Sequence, residues 1–213
     1  IHKRLFNLID NPNNAIGAYK KIIPLDVSDK IKDQCEEEIK ILEEKFYSDT
    51  KQTNRVYLTV TSLSEQLISK GEDRKILLWA SRLLEIGKSI NLKNYHIYSS
   101  YIISNSELHG FTNKQKVRLS TLVHAHRASL TTYNFNKQYI DWIMLFTLRL
   151  SYILCKNREL FDFSNVKIDK SKKRIIVSFK KDWLSQNPYL SFRLKKENSY
   201  WKKINNYFKI ETS

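Results

Sequence analysis

The 213-residue chain is poor in the residues that punctuate and cross-link proteins: four Gly, three Pro, two Cys and a single Met. So little turn chemistry excludes a sandwich or barrel of many short strands, and helices are expected to dominate. Gly17, Gly71, Gly87 and Gly110 stand singly. A loop that cradles phosphate on backbone amides needs closely spaced glycines, and no such loop is visible. Cys35 and Cys155 lie far apart and fit no metal-ligand spacing, so they read as reduced thiols of a cytoplasmic protein. The most apolar window, Tyr139 to Cys155, is interrupted by Asp141 and Arg149. It reads as a core helix, with no membrane association expected. No secretory leader is evident. The chain opens on Ile1 rather than Met, which reads as a fragment or an unusual start.

Positive charge, in contrast, is plentiful. Lys and Arg number 37 against 22 Asp and Glu, a formal net charge of +15. One reading is a polyanionic partner: polyphosphate, a phosphorylated nucleotide or nucleic acid. The other is coding bias, because Lys, Asn and Ile are abundant together. With 41% hydrophobic and 12% aromatic residues the chain can bury a sizeable core.

Helical periodicity sets the organisation. A helix is expected from Ser28, with Ile31, Cys35, Ile39, Leu42 and Phe46 on one face. A second spans about Thr50 to Ser69, with Val56, Leu58, Val60, Leu63 and Leu67 inward. Asp73 is expected to cap a third, and a short helix covers Tyr95 to Ser104. Thr112 and Gln115 have the form of a capping box, opening a helix to about Leu130, and a long helix runs from about Asn136 to Arg158. After residue 160 the period changes. Val166–Asp169 and Arg174–Phe179 read as a β-hairpin, Pro188 opens a helix through Leu190, Leu194, Trp201 and Ile204, and Tyr207–Ile210 reads as a last strand.

Three runs carry a resemblance. Leu83-Leu84-Glu85-Ile86-Gly87 is followed by Tyr95-His96 and then Asn105-Ser106-Glu107-Leu108-His109-Gly110-Phe111. Leu122-Val123-His124-Ala125-His126-Arg127 comes next, and Asp182-Trp183-Leu184-Ser185-Gln186-Asn187-Pro188 with Glu197 to Trp201 closes the series. Over about residues 30–213 these resemble, in order, the C-terminal region of the Ppx/GppA phosphatases, the exopolyphosphatases and guanosine pentaphosphate phosphohydrolases. Leu84, Tyr98 and His109 depart from the family pattern.

The resemblance implies a mainly α fold: an HD-like helical domain over 27–160, a small α+β subdomain over 161–213 (hairpin, helix, terminal strand) and an unassigned segment over 1–26. It further implies a polyphosphate- or guanosine-pentaphosphate-binding and dimerisation module whose actin-like, Mg²⁺-using catalytic domain would lie upstream of residue 1 or on a separate chain. No cofactor is expected in this chain. A residual stand-alone phosphoanhydride hydrolase and a general nucleic-acid-binding protein remain the alternatives.

Site residues follow from the same motifs. Leu84 cannot ligate a metal, so no HD-type metal centre and no catalytic residue is assigned. Lys116, Arg118, His124, His126, Arg127 and Arg158 are expected to contact polyanion, since Arg presents donors to phosphate oxygens and the resemblance tips toward that role; a solvated helix face with His126 buried and hydrogen-bonded is the other reading. Glu85 is expected to pair with Lys88 or Arg82 or to cap the next helix start, and Arg149 to pair with Asp141 or a carboxylate such as Glu85. His96, Glu85 and Arg149 are held as structural residues with phosphate contact as the other reading. Arg193, Lys195 and Lys196 among the aromatics of the last helix would also suit single-stranded nucleic acid.

Overall fold

A computed structural model describes residues 34–127, 129–130, 140–204 and 207–211. The expected helix start at Ser28 lies outside them. Residues 34–45 are helical (α1) and bury Cys35, Ile39 and Leu42, spaced by four and three. Helix α2, Thr50–Leu67, begins where Asp49 accepts from the Gln52 amide at 3.0 Å. It buries Val56, Val60, Leu63 and Leu67. Leu58, expected inward, is 42% exposed. It stands about 200° around the helix from Val56 and Val60, on the opposite face.

Helix α3, Glu72–Arg82, follows Gly71, whose φ of 153° suits glycine, and it has no side-chain cap. Asp73, expected as the cap, lies inside the first turn and pairs with Arg118 at 2.5 Å. A 3₁₀ turn, Ile86–Ser89, leads to α4, Tyr95–Asn105. The turn and α4 touch so closely at Gly87 that an added Cβ would lie 2.3 Å from the Tyr95 carbonyl oxygen and 2.4 Å from the Ser99 nitrogen. Ser99 seals the approach, accepting from the Gly87 amide at 2.8 Å and donating to the Leu84 carbonyl at 3.0 Å.

The Thr112–Gln115 capping box forms, opening α5 at Asn113. This helix stops at Ala125 rather than near Leu130. Helix α6, Trp142–Leu154, is shorter than the expected 136–158, and 131–139 are not among the described residues. Asp141 caps it, accepting from the Ile143 and Met144 amides. Every residue from Met144 to Leu154 is buried, so α6 is the central helix.

The C-terminal part has the expected form. Strands β1 (Val166–Lys170) and β2 (Ile175–Phe179) pair antiparallel, and β3 (Phe208–Glu211) joins β2 in parallel, with Ile175 opposite Phe208. The crossover carries α7, Lys181–Gln186, and α8, Pro188–Ile204. An aromatic seam joins this unit to α6: Phe146 stacks on Phe208 at 4.8 Å, and Trp201 packs against both at 5.3 and 4.7 Å. One apolar cluster therefore runs from α1 to β3. Among the described residues no helix is long and apolar enough to cross a membrane.

Candidate functional site

Two helices supply most of one cleft by their spacing. On α6 and just beyond it, Arg149, Tyr152 and Lys156 recur at three and four residues, on one face. On α8, Arg193, Lys196, Glu197 and Tyr200 do the same. The residues after α5 add His126 and Arg127. All of these but Lys156 line, with Ile153, a cleft of about 140 Å³.

Its floor is an ion pair. Arg149 Nε and Nη2 donate to the two Glu197 oxygens at 2.5 and 2.7 Å, and Nη1 donates to the Ala125 carbonyl at 2.7 Å. Trp201 Nε1 donates to the same carboxylate at 2.7 Å. Arg149 is 1% exposed and Glu197 4%. Removing one member of such a buried pair costs roughly 3–5 kcal/mol, because the other charge is stranded. Arg149 thus pairs with a carboxylate, as expected, and that carboxylate is Glu197. Asp141 is committed to capping α6, and Glu85 serves the rim.

That rim is a chain of polar contacts. Lys88 Nζ lies 2.5 Å from Glu85, as one of the two expected pairings has it, while Arg82 is held by Glu43 and Glu36. Tyr152 Oη donates to Glu85 at 2.6 Å, Lys156 Nζ donates to Tyr152 Oη at 3.0 Å, and the Tyr95 and Tyr152 hydroxyls bond each other. Cations lie over the rings: Arg127 at 4.6 Å from the Tyr95 centroid, Lys88 at 5.2 Å from it, and Lys156 at 4.5 Å from that of Tyr152.

The electrostatics are one-sided. Lys88, Arg127, Lys156, Arg193 and Lys196 converge, with Glu85 as the carboxylate not already spent on Arg149. Burial brings the Lys156 ammonium down to about 8; Glu85 opposes this, and Lys88, Arg193 and Arg127 reinforce it. Among the described residues no carboxylate bonds Arg127, Arg193 or Lys196. Behind them sit three histidines, with His96 5.8 Å from His124 and 6.3 Å from His126 between ring centroids. Burial, then Arg127, His124 and Arg149, lowers His96 to about 4; burial also depresses His124, and His126 strongly. These rings are neutral near pH 7. Such a cleft attracts an anion and supplies donors to its oxygens.

Of the residues singled out in the sequence, Glu85, His96, His124, His126, Arg127 and Arg149 come together here. Lys116, Arg118 and Arg158 do not. Lys116 donates to the Ser106 carbonyl at 2.5 Å, closing the end of α4. Arg118 pairs with Asp73 and touches Met144 Sδ, and Arg158, at a positive φ of 61°, pairs with Asp49. Sequence reasoning left Lys156, Tyr95 and Tyr152 outside the site, named Lys88 only as a partner for Glu85, and offered Arg193 and Lys196 only for single-stranded nucleic acid. The signal available was the matched spacing on α6 and α8. Among the described residues no group of three His, Cys, Asp or Glu is placed to hold a metal ion.

Comparison with known proteins adds the following. Residues 36–198 match the family model described as Ppx/GppA phosphatase, domain III. A guanosine-5'-triphosphate,3'-diphosphate pyrophosphatase of Pseudoalteromonas translucida (strain TAC 125) is 25% identical over 170 residues, covering 76% of this chain and 34% of that protein. One of the same name from Vibrio atlanticus (strain LGP32) is 26% identical over 203 residues, covering 90% of this chain and 40% of that protein. The chain thus spans about a third to two fifths of the length of these curated relatives.

Proposed function

Because the chain belongs to the Ppx/GppA phosphatase domain III family, we propose that its basic cleft grips the phosphate chain of guanosine pentaphosphate or polyphosphate. The observation that carries this is the convergence of Arg127, Lys156, Arg193 and Lys196 where the nearby carboxylates, Glu85 and Glu197, are already taken by Lys88 and Arg149. In this reading the chain is the substrate-holding module of a phosphatase. Hydrolysis, and the Mg²⁺ it would use, belong to catalytic domains supplied in the same polypeptide or by a partner, and dimerisation would extend the basic surface. The names of the two relatives favour the guanosine nucleotide as substrate.

Titration of intrinsic Trp fluorescence with guanosine pentaphosphate and long-chain polyphosphate tests it, with single-stranded DNA of equal charge as competitor. Tight binding that DNA fails to displace is expected, weakening steeply with salt. Replacing Arg193 and Lys196 together by Ala should weaken binding roughly tenfold or more, the range of lost charge-assisted bonds. Lys116→Ala and Arg118→Ala should leave it unchanged. Equal loss from both pairs, or displacement by DNA, would favour a general nucleic-acid-binding surface.

A further inference from the structure

We infer that His126 makes this cleft a reader of hydrogen-bearing oxygens, selecting a phosphate that carries a hydrogen over a fully ionised oxyanion such as sulfate. The inference rests on the reading of the cleft as the phosphate-gripping site. His126 lines the cleft and is only 2% exposed. Its Nδ1 lies 2.5 Å from the Val123 carbonyl oxygen. A carbonyl only accepts, so Nδ1 carries the ring hydrogen and the neutral ring offers Nε2 as an acceptor. Nε2 is buried and has no hydrogen-bond partner among the described residues. Leaving a buried acceptor bare is unfavourable, and a ligand that supplies a donor relieves it.

The surroundings hold the ring neutral. Tyr95 and His96 approach from α4 at 5.7 and 6.3 Å, and Tyr152 from α6 at 4.9 Å, edge to face. Arg127 beyond α5 and Arg149 on α6 add positive charge, and His124 on α5 stands behind His96. From α8, Arg193 and Lys196 line the same cleft, while Glu197 is spent on Arg149. Arg127, Arg193 and Lys196 are donors only. Oxygens facing them bind bare, whereas the oxygen facing Nε2 must bring a hydrogen, since two acceptors cannot bond. A cleft of about 140 Å³ also falls below the roughly 300–1,000 Å³ of sites that enclose a whole small molecule. It has room for a phosphate group or two, not for a nucleotide. The ligand class is therefore the end of a phosphate chain. Terminal phosphates keep an ionisation at about pH 6 and above; interior phosphates have none there.

The test compares binding of inorganic phosphate and of sulfate to the intact chain by calorimetry, at about pH 6 and equal ionic strength. Phosphate is then mostly singly charged and sulfate doubly, so charge alone favours sulfate. The expected result is phosphate binding about tenfold tighter, as for a buried acceptor satisfied against one left bare. Sulfate binding as tightly or more tightly overturns the inference. In His126→Gln the amide can turn its N–H toward a bare oxygen, so the preference should shrink to within about twofold. A preference that survives the substitution overturns the role of His126. Where that variant does not fold, the wild-type comparison repeated at about pH 8 decides. Phosphate there carries the same double charge as sulfate yet keeps one hydrogen, so the preference should persist or widen, and a preference that disappears overturns the inference. A parallel titration with long-chain polyphosphate separates the two readings. Polyphosphate binding without phosphate-over-sulfate selection overturns only this inference, whereas no anion binding at all overturns the cleft reading too.

Discussion

At Lys156 burial and like charge work against an ammonium that the site uses. Its pKa of about 8 leaves it mostly charged at neutral pH but within reach of mild alkali. A bound anion would favour the charged form and raise that value. Affinity for pyrophosphate should therefore be full below pH 7 and fall as pH rises through about 8, by about tenfold if one charge-assisted contact is lost. Lys156→Arg, charged throughout, should remove that dependence. A flat wild-type profile from pH 7 to 9.5 would show that Lys156 does not touch the ligand. This residue was hard to find in the sequence, where it stands in Lys156-Asn157-Arg158 and Arg158 looks the more available charge. Arg158 is indeed exposed but pairs with Asp49, whereas Lys156 bonds Tyr152 at the rim of the cleft. Arg127 and Glu85 were singled out by the motifs in which they stand.

Elements were read more reliably than their edges. The hairpin, the Pro188 helix and the capping box at Thr112 all formed, because alternation, fixed proline φ and a reciprocal side-chain bond are local causes. The partner of Arg149 depends on a tertiary contact that no local pattern encodes. Glu197 lies 48 residues from Arg149. At this scale the critical joint is the 3₁₀ turn against α4, which sets Glu85 and Lys88 beside Tyr95. Gly87→Ala would place a methyl group against backbone atoms at 2.3 and 2.4 Å, which cannot move as a side-chain tip can. Forcing the turn off α4 should destabilise the chain by about 1–3 kcal/mol and lower anion affinity along with it. Thermal melting and the fluorescence titration would be measured on the same preparation. A melting temperature within one or two degrees of wild type would refute the close packing.

The whole molecule carries a buried group of histidines whose response to acid is shared by every element they touch. His96, at about 4 when folded against 6.5 ordinarily, and His126, also well below 6.5, take up protons more readily when the chain is unfolded. Stability is accordingly full above about pH 6.5 and declines as pH falls toward 4, since the unfolded state binds more protons over that range. The melting temperature should drop by about 5–10 °C between pH 7 and 5. Constant melting over that interval would contradict neutral, buried rings. Of the positive residues singled out in the sequence, Lys116, Arg118 and Arg158 bond elsewhere in the chain, away from the cleft.

The Arg149–Glu197 pair ties a helix of the first part of the chain to one of the last, and this governs how the protein can be cut. An expression fragment ending near residue 160 would keep Arg149 inside α6 with its counter-charge gone and the apolar face that receives Trp201 and Phe208 laid bare. Such a piece should be recovered as aggregate, and supplying residues 161–213 in trans should rescue it. In recombination between relatives, a crossover between these two positions would be tolerated only where both parents carry the same Arg and Glu.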